Sequence, residues 1–569
     1  MSVAKGGRWL PDFRAQPRWV QVVSAAALLV GVVHFFLVAW VFLERRRHPI
    51  ELEWMSGGVA DHIERILAGK PLYVAPSAEF IPYIYPPLHL WLSAGLASFM
   101  PIATASALVS MVATCAAGVL VHRASRKLGA GAYWSAMAVA LFLGAYSLTG
   151  YWYDLDRSDS LTVAMLLGAF VMALESDGSA RMAGAGALLA AAFFAKQPAL
   201  IFFVVVVAVL ALVRQARAAI AMSIGWLVVW GPAVAILTLR SDGWFWFYCM
   251  KMPAAHGISS KLVTVFFVID ATDAFAISAA VVAVLARVGR AMVDALRKVS
   301  SLPERNDALL FAFVLAALLT SAASRLHVGG HRNVLVFFTT FGSIAFAVTC
   351  SRLAAGERSS PVVRGLLAGA ALLQLGHFLY DPGEAVPSPR NVNDARTVEM
   401  RIRELEKKGD VLMPGRAHVT AQRHFHVMAL VDVLRAGLPL PEDLVTSLRE
   451  RRYAAYVLDD FDELTLETWL GRRNEELRDL VLRNYFIAER FDDRGAWPVI
   501  GWKARPSWIL RPRREPLERA TAEELERRRL VEMGLAEMRM RVAQAGTGAG
   551  KVDDGDDIET LAARMDSSQ

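Results

Sequence analysis

Four small groups of polar side chains interrupt or border the apolar stretches of this sequence: Glu51 with Glu53, Arg157 with Asp159, Lys196 with Gln197, and His331-Arg332-Asn333. Carboxylates two residues apart can take a proton from a hydroxyl or ligate a divalent cation, and cations in apolar surroundings can hold a phosphate. Lys196 is the most informative. It is the sole charged side chain between Met182 and Val213, and Gln197 and Pro198 follow it. At about 1.5 Å per residue this stretch is too long for one crossing of a roughly 30 Å hydrocarbon core, and each half is short for a crossing of its own. The pattern predicts two short helices whose junction lies below the membrane surface. A lysine at that depth costs roughly 2.5–3.5 kcal/mol, so it is expected to face a water-filled cavity and an anion, of which phosphate is the foremost candidate. Snorkelling and pairing with an acidic neighbour are the alternatives.

The other groups carry competing readings. Glu53 is the first choice for a base, with Glu51 its rival or a ligand to a divalent cation. On an extended segment the two would share a face, whereas on a helix they would diverge by about 200°. Both could instead be solvated carboxylates pairing with Arg45 to Arg47. Arg157 is expected to meet a ligand, while Asp156 or Asp159 could serve as a helix cap. His331 and Arg332 follow Gly329-Gly330, which would let the backbone approach a ligand, although an ordinary basic loop end has the same composition. Tyr85 is a further candidate for substrate contact, but Tyr85-Pro86-Pro87-Leu88 as a whole reads as architecture: an extended entry into a helix.

These residues need a membrane-embedded scaffold. The chain has 569 residues, 55% of them hydrophobic, with a mean hydropathy of +0.37, and apolar runs of spanning length recur from Trp19 to Leu379. The expected fold is an α-helical polytopic membrane protein followed by a soluble α/β domain. About eleven spans are expected, over 19–43, 102–120, 132–149, 160–174, 182–195, 198–213, 218–239, 262–286, 308–323, 334–350 and 362–379, with a short or re-entrant helix from Pro86 to Phe99. The first run is longer than a signal-peptide core and reads as a retained span. An odd number places the termini on opposite sides. Short loops bearing Arg123, Arg126 and Lys127, Arg214 and Arg217, Arg287 to Lys298, and Arg352 and Arg358 then fall on the N-terminal side, which the positive-inside rule makes cytoplasmic. All four polar groups fall on the opposite face. A transporter would more often carry charges near mid-span and related half-repeats, and no such repeat is evident. The net charge of +7 reads as membrane orientation, with no basic-aromatic pattern for nucleic acid.

Three parts are expected: a multi-span domain over 1–381 with a long first outer loop at 44–86, an α/β domain over 382–513, and a charged, partly helical tail over 514–569. In the second, strands are expected at Val411 to Met413, Ala454 to Leu458 and Trp508 to Leu510, and helices at Pro441 to Arg451 and Leu466 to Leu482. His418, His424 and His426 read as surface or core histidines, since no partner stands at a metal-ligand spacing. The aromatic cluster Trp244 to Tyr248 reads as an interfacial belt, or as the wall of a groove for a lipid chain. Three cysteines, Cys115, Cys249 and Cys350, give no disulfide framework. In the tail, Pro516 and Thr521 to Glu523 are start signals for a helix running to Arg541, and Gly546, Gly548 and Gly550 end it.

The order of motifs resembles a known superfamily. One span is followed by an acidic pair in a long loop, Gly69-Lys70-Pro71-Leu72-Tyr73, Tyr85-Pro86-Pro87-Leu88, Asp156-Arg157-Ser158-Asp159-Ser160-Leu161, Lys196-Gln197, and Gly329-Gly330-His331-Arg332-Asn333. Over about residues 19–380 this is similar to the bacterial GT-C membrane glycosyltransferases, near the glycosyltransferase family 39 and aminoarabinose-transferase-like proteins. The resemblance implies transfer of a sugar from a polyprenyl-phosphate donor to a glycan, lipid or protein acceptor on the outer face of the cytoplasmic (inner) membrane. It also implies that the α/β domain covers the site or selects the acceptor. One departure touches the chemistry: family members place an aspartate, often Asp-Glu, just after the first span, and this chain reads Glu51-Leu52-Glu53. The other class compatible with the sequence is a non-enzymatic polytopic protein, either a transporter or an inactive scaffold of the same fold.

Overall fold

A computed structural model describes residues 16–48, 50–327, 329–356, 359–459, 475–491, 498–502 and 504–544. In chain order the helices are α1 (Arg18–Arg45), α2 (Ser56–Leu67), α3 (Leu88–Ala97), α4 (Ile102–Lys127), α5 (Ala132–Gly144), α6 (Asp159–Leu174), α7 (Ser179–Ala195), α8 (Ala199–Leu212) and α9 (Ala216–Arg240). They continue with α10 (Phe275–Leu296), α11 (Arg305–Leu326), α12 (Leu335–Ala355), α13 (Pro361–His377), α14 (Pro389–Glu406), α15 (Val427–Arg435), α16 (Glu442–Arg449), α17 (Glu475–Asn484) and α18 (Ala522–Gln544). Four strands complete the set: β1 (Val411–Leu412), β2 (Ala455–Asp459), β3 (Tyr485–Arg490) and β4 (Pro506–Pro512).

The protein is a multi-pass membrane protein. Among the described residues six helices are long and apolar enough to cross a bilayer, or up to seven if the bent pair Pro361–His377 and Pro382–Glu406 is one span. Each of the eleven expected stretches contains helix, but α5, α6, α7 and α8 have only 13, 16, 17 and 14 residues. At 1.5 Å per residue they fall short of a roughly 30 Å core, so eleven counted apolar helices where six or seven meet the length of a span. The stretch expected at 262–286 is also displaced. Short α and π turns occupy Ser260 to Asp273, and the continuous helix begins only at Phe275, after Ala274 leaves helical geometry at φ −101°, ψ 40°. A buried carboxylate at Asp270 explains the offset, because it anchors the irregular segment inside the fold instead of in lipid.

The chain divides into two compact units. The first comprises residues 1–46, 85–240 and 257–385. Its core includes a ring cluster from four helices: Phe170 of α6, Phe202 of α8, Phe313 of α11 and Phe341 of α12, with centroids 4.5–5.9 Å apart. Helices α7 and α9 pack backbone to backbone. A Cβ on Gly186 would overlap the Met222 carbonyl, and one on Gly225 would overlap the Ala183 carbonyl, so only glycine permits this approach. Large apolar side chains on α1 and α9, among them Leu29, Phe36, Val228 and Leu239, point outward, as lipid-facing positions require.

The second unit comprises residues 47–84, 241–256 and 386–569. Its sheet has the order β1-β2-β4-β3, with β1 and β2 parallel and the other pairs antiparallel. The expected strands at 411–413, 454–458 and 508–510 are present as β1, β2 and β4. Strand β3 went unread, although Tyr485-Phe486-Ile487-Ala488 is apolar, because it follows α17 with no turn signal between them. Helix α14 begins with a capping box between Ser388 and Asn391 and buries Ala395, Val398, Ile402 and Leu405 against β1, β2 and β4. In the tail, the Thr521 backbone N–H donates to Glu524 and the Thr521 hydroxyl accepts from the Glu524 backbone, opening α18 where the sequence signals place it. The expected helix portion at 466–474 and the glycines 546, 548 and 550 lie outside the described residues.

Candidate functional site

The break between α7 and α8 forms as its sequence dictates. Lys196 leaves helical geometry with φ −156° and ψ 131°, and Pro198 caps the next helix, where its missing N–H costs nothing. Lys196 is buried there. Its Nζ donates to Asp159 Oδ1 at 2.6 Å, and Asn333 Nδ2 donates to the same oxygen at 2.9 Å. Three of the four polar groups thus meet at one atom: the first turn of α6, the α7–α8 break and the turn before α12. The acidic-neighbour alternative for Lys196 is therefore what the folded chain adopts. Asp159 is a hydrogen-bond hub between three elements, with its carboxylate turned to side chains in place of its own helix N-terminus, which no side chain caps.

Arg157 lies beside this hub. Its Nη2 donates to the Tyr85 hydroxyl at 3.0 Å, its guanidinium stands 5.2 Å from the Tyr85 ring centroid, and Ser110 Oγ donates to its carbonyl at 2.9 Å. Lys196 Nζ is 5.9 Å from the same ring. Tyr85 is thus both the entry to α3, as its proline pair requires, and a contact for two cations. Arg157, Lys196 and Asp159 together carry one net positive charge in a water-poor setting, an arrangement suited to receiving an anion. His331 packs on Trp152 with centroids 5.0 Å apart, and Arg332 is half exposed with Nε 3.9 Å from Asp270. Neither takes part in the Asp159 hub. Gln197 is half-buried at the break.

The glutamates belong to the second unit. Both are buried, not solvated, and both turn toward the start of α2. Glu51 Oε1 accepts from the Gly57 backbone N–H at 2.6 Å, and Glu53 Oε2 accepts from the Met55 N–H at 3.1 Å, supplying the acceptors that the cap residue, Met55, cannot. The backbone bends at Leu52, and Glu53 is bridged in parallel to Ile500. Glu51 Oε2 also meets Arg416 Nε at 3.0 Å, and Arg416 is fully buried, donating further to the Gly415 and Ala504 carbonyls. Asp459 accepts from Trp54 Nε1 at 3.0 Å and lies 3.8 Å from Arg416 Nη1. His418 Nδ1 is 3.6 Å from Glu51 Oε1. Burial, Arg416 and Arg423 push that imidazole down to about 3, so this contact involves a neutral ring.

A divalent cation at Glu51 does not fit this donor set. A guanidinium and a backbone N–H already occupy its carboxylate, and among the described residues no group of three or more His, Cys, Asp or Glu is arranged to hold a metal. The histidines of the C-terminal region serve hydrogen bonding: His424 Nε2 reaches the Val411 carbonyl at 2.7 Å and His426 Nε2 the Trp54 carbonyl at 3.1 Å. In the aromatic cluster Phe245 and Tyr248 are fully buried, so it is more than a surface belt.

Several partners went unread in the sequence. Arg416 and Asp459 are joined to the glutamate region, and to the adjacent Trp54, by the tertiary fold alone. A local signal existed in the glycines: a Cβ at Gly57 would overlap His418, and one at Gly415 would overlap the Asp459 carboxylate. Arg45, the alternative partner for the glutamates, pairs with buried Asp154, which also accepts from Tyr146 at 2.8 Å, while Arg45 Nε donates to the Ala385 carbonyl.

No family model and no curated protein matches the chain. Among solved structures it is similar to ArnT from Cupriavidus metallidurans bound to undecaprenyl phosphate, at 12% identity over 86% of this chain and 98% of that one, with a TM-score of 0.49. The apo state of the same protein gives 13% identity, 87% and 97% coverage and a TM-score of 0.49. The Archaeoglobus fulgidus oligosaccharyltransferase in complex with zinc and sulfate gives 12% identity, 82% and 72% coverage and a TM-score of 0.47.

Proposed function

We propose that this protein is a membrane glycosyltransferase that moves a sugar from a polyprenyl-phosphate-linked donor to a hydroxyl-bearing acceptor at the outer face of the cytoplasmic membrane. The observation that carries the reading is the buried cluster of Lys196, Asp159, Asn333, Arg157 and Tyr85 at the break between two short apolar helices. A lipid phosphate is an anion delivered at the depth where this cluster sits, and two cations restrained by one carboxylate and a tyrosine are placed to receive it. In the transfer the acceptor oxygen bonds to the anomeric carbon, the bond from that carbon to the phosphate oxygen breaks, and the polyprenyl phosphate leaves with its added charge. Arg157 and Lys196 stabilise that charge, and Glu53 is the candidate base for the acceptor proton. Glu51 is committed to Arg416. The ordered motifs that resemble the GT-C glycosyltransferases support the same reading.

The capping role of both glutamates favours one rival, an inactive scaffold of the same fold. Purified protein in lipid discs, supplied with polyprenyl-phosphate sugars and read for release of the polyprenyl phosphate with and without divalent cations, separates the two. Release that depends on Arg157 and Lys196 supports the transferase; intact donor binding with no release from any donor supports the scaffold.

A further inference from the structure

The second unit contains an open cleft of about 210 Å³, smaller than a drug-sized pocket and of a size for one small ligand. Its walls carry three acids, Asp61, Glu64 and Glu79, and three bases, Arg65, Lys70 and Arg423. Each base already has a carboxylate: Lys70 Nζ meets Glu79 at 2.9 Å and Arg65 Nη1 meets it at 3.7 Å, while Arg423 meets Glu64 at 2.8 Å and Asp61 at 3.5 Å. With all three acids ionised the lining has no net charge, and with Asp61 protonated each base still keeps a carboxylate in Glu79 or Glu64. A charged ligand would have to displace one of these internal pairs. A neutral ligand would not, because a guanidinium has five N–H donors and a carboxylate about four lone-pair sites, leaving spare donors and acceptors side by side. Adjacent hydroxyls, each both donor and acceptor, match that pattern.

Asp61 gives the second observation. Its Oδ1 is buried with no hydrogen-bond partner, and Arg423 Nη1 at 3.5 Å is too distant for a good one. A buried carboxyl oxygen left in this state costs free energy that a ligand hydroxyl would recover. Burial raises the carboxyl to about 7, against the pull of Arg423 and with a smaller push from Glu64, so near neutrality it supplies a donor as well as an acceptor.

We infer that this cleft is a binding site for a neutral, polyhydroxylated ligand, a sugar without carboxylate, phosphate or ammonium. Taken together with the proposed transfer reaction, on which this step alone rests, that sugar belongs to the acceptor. The test is ligand-observed NMR on the full-length protein in lipid discs, with the methyl glycosides of glucose, galactose and mannose as probes. Methyl glucuronide, glucosamine and inorganic phosphate are the charged counterparts. At least one neutral glycoside should bind, at least tenfold more tightly than the charged probes, and Asp61→Ala should weaken it at least tenfold. Glu79→Ala, which alters an exposed pair and leaves the buried wall intact, should weaken it several-fold in a protein with unchanged melting. Absence of neutral-glycoside binding, equal or tighter binding of a charged probe, or binding unaffected by both substitutions would each overturn the inference. Lys196→Met, in the other unit, should leave glycoside binding unchanged, so loss of transfer with intact glycoside binding bears on the transfer reading alone.

Discussion

The pair of Lys196 and Asp159 can be asked whether it only holds the fold or also holds a substrate. At 2.6 Å, and with an effective dielectric of about 20, two unit charges attract by roughly 6 kcal/mol before desolvation is subtracted. The net value is far smaller, but removing one partner strands the other. Lys196→Met leaves Asp159 buried with Asn333 as its remaining donor, and Asp159→Asn leaves a buried ammonium beside an amide. Each single change should cost about 3–5 kcal/mol of stability, and the double change should recover most of that, since neither charge remains. Unfolding followed in lipid discs measures the three variants, and donor release measures their function. A purely structural pair predicts that the double variant regains both stability and turnover. A phosphate-binding lysine predicts a folded double variant whose transfer stays depressed by roughly 2–5 kcal/mol in transition-state terms. Wild-type turnover in the stable double variant would refute the phosphate role outright.

Other outcomes follow from the same contacts. Glu53→Gln can still accept from Met55 through its amide oxygen, so it should remain folded while turnover falls with donor affinity nearly intact; near-normal turnover would remove Glu53 as base. Glu51→Gln removes the charge that Arg416 Nε meets at 3.0 Å while its 3.8 Å contact to Asp459 stays, and should lose about 3 kcal/mol of stability, read as a lowered melting temperature. Buried His62, His418 and His424 are held neutral at about 4, 3 and 4, so below about pH 6.5 the unfolded chain binds their protons first and stability falls as pH falls. Asp61 works in the opposite sense: its folded value of about 7 exceeds the unfolded one, so its contribution is present in acid and is lost as pH rises toward 7. Asp61→Asn should therefore raise the proton uptake on unfolding near pH 5 by about one. Reporter fusions at Arg352 and Asp410 should report opposite sides of the membrane; two cytoplasmic signals would move the second unit inside and end the shared outer-face topology.

The helical membrane scaffold was legible because apolar composition and the Lys196-Gln197-Pro198 interruption are local properties, and local properties survive folding. Span number was less legible, since hydropathy marks burial in protein as readily as burial in lipid. Helix α12, buried over 89% of its apolar window, and α1, at 33%, read alike in sequence. At the site, residue types selected Asp159, Lys196, Asn333, Arg157 and Tyr85 as candidates, but not that the first three share a single oxygen. The partners of Glu51 were illegible. Arg416 and Asp459 lie in an irregular turn and at a strand end, with no period or spacing to connect them to the first loop.

The second unit is assembled from three stretches that the chain delivers at very different times. Glu51 emerges early, while Arg416 emerges more than three hundred residues later, after almost all of the apolar helices have been made. At about 5–20 residues per second, synthesis leaves that glutamate without its guanidinium for on the order of 20–70 s. Helix α18 comes later still, and its buried Glu532 then accepts from the Ile487 backbone at 3.0 Å and from Arg513 at 2.7 Å. During this interval the first loop must wait for a partner not yet translated. The order of biosynthesis thus makes this unit the last to close, and makes defects near Arg416 or Glu532 failures of maturation first.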